Sequence, residues 1–318
     1  MGYLTKYGTN WGSIPEQGGN IYWVSPSDSY TIEGRTYTAS DDNDGLSPER
    51  ALRRINRAWA LVTANVDDTI ALLPGTHSAA TAGTSTAASI AANVAGVRMV
   101  GIPRGSQTGN PYRKRTFVTC AAADETINVT AADIEMANFT LLGDVLNTAS
   151  ANLNLSAAAN GFYMHDFAVD VSAQTAGTSI LGIDATGAAT GVLIKRGYFW
   201  SDGAFGAMVD VTGLINSTVE DCDFDQTAGT HAGTLTVGAA ATVMLRRNSF
   251  YGAGTHTAAI NGTGATVAGA CRCHYNLFSV LCTVPIDNFS ATNLTDLLNN
   301  YIATVGAGTG GTLVSANT

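Results

Sequence analysis

Charge is scarce in this 318-residue chain, where Asp, Glu, Lys and Arg together make up only 13%, about half the usual quarter. That shortage excludes coiled coils and long-helix proteins, which need Glu and Lys in quantity. Positive charge is the scarcer sign, 16 basic against 25 acidic residues for a net −9. An acidic chain lacks the cations that displace phosphate counterions, so no nucleic-acid partner is expected. No stretch of the sequence reaches 18 apolar residues, so no membrane-spanning helix is expected. The opening Met1-Gly2-Tyr3-Leu4-Thr5-Lys6 has no apolar signal-peptide core, and export by that route is not expected. The cysteines, Cys120, Cys222, Cys271, Cys273 and Cys282, are odd in number and form no C-x-x-C. They read as buried thiols folded in a reducing cytoplasm. A zinc site would need more His or Cys at ligand spacing than His274 beside Cys271 and Cys273 supplies.

Against these absences stand 35 glycines, many Ala and Thr, and 45% apolar residues, too many for a disordered chain. One phrase recurs with drift, apolar-x-apolar-x-x-Phe: Ile134-x-Met136-x-x-Phe139, then Phe162-x-Met164-x-x-Phe167, and again ahead of Phe199, Phe224, Phe250 and Phe278. The Phe-to-Phe steps are 28, 32, 25, 26 and 28 residues. A second phrase keeps a similar period, in Ile127-Asn128-Val129, Leu153-Asn154-Leu155, Leu181-Gly182-Ile183, Val209-Asp210-Val211 and Leu235-Thr236-Val237. Helical repeats run about 33 to 47 residues, and a four-stranded propeller blade needs about 40. A period of about 26 residues supplies two or three short strands and their turns, one coil of a parallel β-helix. Stacked coils turn the alternating apolar positions inward, with the Phe residues expected in one interior file. Small residues at the turns let the chain change direction.

The repeat does not cover residues 1–65. Ile21-Tyr22-Trp23-Val24 reads as a strand, followed by the loop Ser40-Asp41-Asp42-Asn43-Asp44-Gly45-Leu46-Ser47-Pro48. Residues 49–63 carry apolar side chains at helical spacing, with Ser47 or Asp44 as cap and Pro48 in the first turn. That helix is expected to cover the open end of the solenoid, whose unpaired edge invites aggregation. Strands follow at 68–73 and 97–102. The expected organisation is therefore an N-terminal segment over 1–65, a parallel β-helix over 66–284, and a C-terminal cap with a flexible tail over 285–318. In the last segment Leu294, Leu297, Leu298 and Tyr301 stand at helical spacing.

The run ASDDNDGLSPERALRRINRAWALV, continued by DDTIALLPGTHS, resembles the opening of pectin-lyase-like right-handed parallel β-helix proteins, with His77 where that family usually has Tyr. The phrase Val219-Glu220-Asp221-Cys222-Asp223-Phe224 is also typical of such coils. The resemblance covers roughly residues 20–283 and implies the fold: all-β, one right-handed parallel β-helix wound by a single chain. It does not fix a function, because the fold hosts enzymes, adhesins and virion spikes. In its Ala, Thr and Gly-rich style the chain also resembles structural proteins of tailed phages, especially marine phages. Those likenesses imply a bacteriophage virion structural protein: a capsid decoration, head fibre or short tail spike, assembled in the host cytoplasm. It would be a homotrimer bound to other virion proteins and touching a host surface glycan, with no cofactor. Roughly eight coils would reach only about 40 Å, which suits a decoration or compact knob. The alternative is a tailspike-type polysaccharide lyase or hydrolase. A secreted adhesin is disfavoured by the missing signal peptide.

The acidic run offers Asp221, Asp223 and Asp225 as catalytic candidates, placed on one side of a strand by alternation while Cys222 and Phe224 turn inward. Stacking puts Arg196 one coil before Asp221 and Arg247 one coil after, with Asp166 at the same register. Arg196, Tyr198, Trp200 and Arg247 are the binding candidates. The same column reads equally as a solvated face of ladder ion pairs. Tyr3, Tyr7, Trp11, Tyr22 and Trp23 form either a docking surface or a cover over the end of the solenoid. Asp41, Asp42 and Asp44 offer oxygen ligands for Ca²⁺, or a turn held by Asx hydrogen bonds. Gly229-Thr230-His231 and Gly254-Thr255-His256 read as turns, and Arg104 with Arg113-Lys114-Arg115 as a basic insertion.

Overall fold

The computed structural model of the chain describes residues 18–32, 34–78, 89–102, 116–119, 125–143, 151–172, 182–202, 207–226, 230–238, 241–263, 271–287, 294–298, 300–302 and 313–314. Short strands stack in parallel into three ladders. The first runs from Ile21–Val24 through Thr69–Leu72, Arg98–Gly101, Glu135–Ala137 and the leading halves of Tyr163–Asp170 and Leu193–Ser201. It continues through Ser217–Glu220, Val243–Arg246 and Cys271–His274 to Leu294–Leu298. The second takes in Gly75–Ser78, Thr116–Thr119 and Thr140–Leu142, then the trailing halves of the two long strands, Asp223–Gln226 and the start of Ser249–Thr263. The third stacks Ile90–Ala92, Ile127–Val129, Leu153–Leu155, Ile183–Asp184, Val209–Asp210 and Thr230–Gly238. Along Gly197–Ser201 burial alternates residue by residue, as expected when every second side chain faces one continuous core.

The corner between the first two ladders is a one-residue bend. Asn138, Asp166, Arg196, Asp221, Arg247 and Tyr275 adopt φ between 52° and 61° there, in the left-handed region. Directly after the bend comes an inward column, Phe139, Phe167, Gly197, Cys222, Asn248 and Asn276, which Asn300 continues. Its last three members form an amide ladder. The Asn248 N–H donates to Asn276 Oδ1 at 3.0 Å and the Asn276 N–H to Asn300 Oδ1 at 3.0 Å. The side-chain amides of Asn248 and Asn276 donate to the carbonyls of Val219 and Leu245, both at 3.0 Å.

The aromatic file is shorter than the repeat implied. Phe199, Phe224, Phe250 and Phe278 stack with ring centroids 4.7, 4.8 and 5.1 Å apart. Phe167 is out of phase: it pairs with Gly197, while Val169 pairs with Phe199. The coil between these strands is 30 residues (167 to 197), so the 32-residue Phe step overshoots by one inward position. Phe167 meets Phe199 edge-on at 5.5 Å.

Other expectations are corrected by backbone pairing. No continuous helix spans 49–63. A 3₁₀ turn at Pro48–Arg50 gives way to extended chain, then a five-residue helix, Ile55–Trp59. Leu52 bridges to Val24, accepting from Ser25 N–H at 2.9 Å and donating to the Trp23 carbonyl at 2.8 Å, and these bonds hold the chain extended where the helix was expected. Neither Ser47 nor Asp44 caps that helix: Ser47 makes no side-chain cap bond, and Asp44 Oδ1 accepts the Leu46 N–H at 3.1 Å. Leu294–Leu298 is a strand on Cys271–His274 rather than a helix, because the open ladder edge offers it a full set of partners. Thr230 and His231 lie in a strand, paired with Thr255 and His256, so these residues are not turns; Gly229 lies outside the described residues. Ile21–Val24 belongs to the solenoid sheet ahead of residue 66. Tyr3, Tyr7, Trp11, Arg104, the run 113–115, Cys120 and the tail's 303–312 lie outside the described residues.

Candidate functional site

Where the second ladder faces outward, residue sizes change abruptly from one rung to the next. Thr140 lies in register between Phe117 and Ala168, and Ala168 beside Tyr198. Two residues on, at the next outward position, Asp170, Trp200, Asp225 and Tyr251 share a register row. Small side chains on two rungs beside large ones on the next leave a recess. It is a cleft of about 410 Å³ lined by Thr140, Ala168, Asp170, Tyr198, Trp200 and Asp225. Tyr198 donates its hydroxyl to Asp225 Oδ2 at 2.8 Å. Burial, then the hydrogen bond to Asp225, push the Tyr198 phenol well above its ordinary range, so it stays a protonated donor. Asp170 Oδ1 accepts from the Ser172 hydroxyl at 2.6 Å and the Ser172 N–H at 3.2 Å. A flat indole between carboxylates gives one apolar face and several hydroxyl acceptors, the chemistry that suits a sugar ring.

A second polar cluster lines the corner. Arg98 Nε reaches Glu135 at 2.9 Å, and His165 sits between Glu135 at 3.1 Å and Asp166 at 2.7 Å. Arg196 Nη2 closes on Asp166 at 2.6 Å. Burial alone lowers the His165 pKa, but the hydrogen bonds its ring donates to Glu135 and Asp166 outweigh it and raise the value. The Arg196 guanidinium holds the Asp166 carboxyl far below the usual carboxylate range. Further along, Glu220 takes Lys195 at 2.8 Å, Arg247 at 3.1 Å and Arg246, while Asp221 takes Arg247 at 2.6 Å.

These placements separate residues that the sequence grouped. Asp221 occupies the corner bend and turns to Arg247, away from the outward row of Asp223 and Asp225. A left-handed residue breaks the alternation that put the three on one side. Asp225, Tyr198 and Trp200 reach the cleft, whereas Arg196 and Arg247 are held in ion pairs. Asp170 and Thr140 escaped notice in the sequence. The signal for Asp170 was its place one coil before Trp200. Tyr22 and Trp23 are 8% and 6% exposed in the first rung, packed rather than presented. Asp41 accepts the N–H groups of Arg53 at 3.2 Å and Arg54 at 3.0 Å and pairs with Arg54, and Asp44 pairs with Arg50 at 3.0 Å. Those two carboxylates therefore serve the turn.

No protein-family model matches the chain, and no curated protein matches its sequence. Solved structures do match. A pectin methylesterase in complex with hexasaccharide VII aligns at 10% identity over 90% of this chain and 91% of that one, with a TM-score of 0.52. A mutant pectin methylesterase in complex with hexasaccharide IV aligns at 10% identity over 90% and 91%, with a TM-score of 0.53. ORF18 of Geobacillus virus E2 aligns at 12% identity over 78% of this chain and 57% of that one; its TM-score of 0.36 is too low to carry an argument. At such identities the likeness speaks of fold alone, and the fold is a right-handed parallel β-helix of the pectin-lyase-like kind.

Proposed function

We propose that this chain is a β-helical structural appendage of a virus particle, a capsid decoration, head fibre or short tail spike, that holds a surface glycan in the Trp200 cleft. The observation that carries the glycan reading is the row Asp170, Trp200, Asp225 with Tyr198 beside it, around an open recess. An indole face stacks on sugar C–H groups while carboxylates accept hydroxyls. The particle assignment rests on the weakly charged, Ala, Thr and Gly-rich sequence style and on a fold whose stacked strands suit durability. A homotrimer with other virion proteins as neighbours fits that role. Two experiments test it. Cryo-electron microscopy of intact particles should locate this chain on the head or tail; absence from the particle overturns the assignment. Binding of host surface glycan, followed by calorimetry, should vanish in Trp200→Phe, Asp225→Asn double variants; binding that survives there places the site elsewhere.

A second reading, a polysaccharide-degrading spike, is favoured by one feature. Asp170 and Asp225 lie two rungs apart, roughly 10 Å along the axis, near the span that inverting glycosidases leave for a water. Release of new reducing ends from a bound glycan, lost in Asp170→Asn and Asp225→Asn, would establish it. Binding without cleavage rules it out.

A further inference from the structure

The geometry points to Cys271 and Cys273 as a redox modification site: a dithiol that hydrogen peroxide closes to a disulfide when its rung opens locally, and that a thiol reductant reopens. Both side chains turn inward from the strand Cys271–His274 and are 2% and 0% exposed. Their sulfurs face each other at 4.0 Å. One rung earlier the strand Val243–Arg246 turns Val243 and Leu245 inward, with Leu245 in register with Cys273. Branched aliphatic side chains thus fill this part of the core on the neighbouring rung, and two thiols bring a chemistry that packing alone does not call for. Cys222, the other described free cysteine, stands two rungs away, with its Sγ on the Gly197 N–H at 3.4 Å and the Glu220 carbonyl at 3.3 Å.

A disulfide joins Cα atoms about 4.4–6.8 Å apart, and two residues of strand rise about 6.6 Å. The pair can therefore join only if its strand bends. Backbone pairing allows that bend. Against the following rung the register slips at this step, Cys271 pairing with Leu294 but Arg272 with Asp296, and an extra residue on one strand bends and twists the pair. Against the preceding rung the register starts at Arg272, so Cys271 lies at the outset of that ladder. While the rung is closed the dithiol is silent. The Cys271 thiol and burial hold the Cys273 thiol well above its ordinary range, and a protonated thiol is a poor nucleophile. Local opening admits water and peroxide to the sulfurs. One thiolate then attacks a peroxide oxygen and becomes a sulfenic acid, and the hydroxide released takes up the proton that the thiol gave up. The second sulfur displaces the sulfenic oxygen as another water and forms the S–S bond. Two thiols and one hydrogen peroxide give one disulfide and two waters, with sulfur oxidised and peroxide oxygen reduced. A bond between such near neighbours keeps the strand bent, which makes it easy to reduce. In a reducing compartment the pair stays as thiols.

The test treats the folded full chain with hydrogen peroxide, blocks the remaining thiols with an alkylating reagent and maps the cysteines by mass spectrometry, beside the same treatment of the denatured chain. The expected product is a disulfide joining Cys271 to Cys273, reversed by dithiothreitol and formed at least about threefold faster in about 1 M urea, which promotes opening. Hydrogen exchange should show the strands Cys271–His274 and Leu294–Leu298 losing protection on oxidation and regaining it on reduction. The disulfide should persist in Cys222→Ser and be lost in Cys271→Val, which copies Val243 of the preceding rung and keeps the core apolar. If both thiols stay reduced in the folded chain while those of the denatured chain oxidise, the site is overturned. A disulfide from either cysteine to Cys222 overturns it equally. A rate that urea does not move overturns the gating by local opening.

Discussion

The Phe167 ring fills the space in which a side chain on Gly197 would stand: a Cβ there would lie 2.8 Å from Phe167 Cε1 and collide with the ring edge. The glycine is what lets the aromatic file change phase between two rungs. Gly197→Ala should therefore overpack the core and cost about 1–3 kcal/mol. Gly18→Ala, whose added methyl meets nothing within 4 Å, should change stability by less than about 0.5 kcal/mol. Chemical denaturation of the two variants beside the parent checks the contrast.

That phase change marks the limit of what the repeat revealed. Val219, Phe224, Leu245 and Phe250 stand where the two-phrase period placed them, because inward positions must be apolar and that constraint is written in the residues. The overshoot at Phe167 was visible as a long step but had no interpretation until Gly197 supplied the gap. The failed helices share another cause. Leu52 and Leu294 carry helical spacing, yet each joins a ladder whose open edge offers backbone partners, and tertiary pairing outweighs a weak local preference. The cleft was half legible: Tyr198, Trp200 and Asp225 announce themselves by chemistry, whereas Asp170 and Thr140 matter only through register. Asp221 was misplaced because a left-handed bend has no signature when Asp, Arg and Tyr adopt it in place of Gly or Asn.

Acid should weaken the fold through His77. Its Nε2–H donates to the Leu73 carbonyl at 2.8 Å, and burial lowers its pKa from 6.5 to about 4. Between those values the unfolded chain binds a proton that the folded chain refuses. The stabilising contribution is complete above the unfolded value and is lost as pH falls from about 6.5 toward 4, by about 3 kcal/mol in all. His165 works in the opposite sense, since its folded pKa is raised; its contribution is full below the unfolded value and fades as pH rises through the folded one. Denaturation midpoints near pH 7 and about pH 5 should differ less in His77→Gln than in the parent. An unchanged difference would assign the acid sensitivity to other groups.

Glu220 and Asp221 are neighbours with unequal weight. The Glu220 side chain is 3% exposed and faces Lys195, Arg246 and Arg247; that of Asp221 is 29% exposed. Glu220→Gln removes the carboxylate that, among the described residues, meets all three of those cations, and should cost about 2–4 kcal/mol. Asp221→Asn should cost less than about 1 kcal/mol. Thermal unfolding of both variants decides it, and equal losses would contradict the account.

Asn276 is the middle rung of the amide ladder, and its side chain serves Asn248, Leu245 and Asn300 together. Asn276→Ala strands a buried N–H on one side and a carbonyl on the other. The expected cost exceeds about 2 kcal/mol. Hydrogen exchange should show the Asn248 amide losing protection ahead of the rest of that strand.

From the rung Glu135–Ala137 to the rung Cys271–His274, chain length per coil varies from 25 residues (195 to 220) to 30 (165 to 195), yet at the left-handed corner these rungs meet residue for residue. All surplus length is therefore paid out elsewhere, along the stretches that leave the second and third ladders. The corner acts as a spine, and the opposite margins as a place to hang segments of any size. New recognition surfaces can arise there by insertion while the stacked interior keeps its registration.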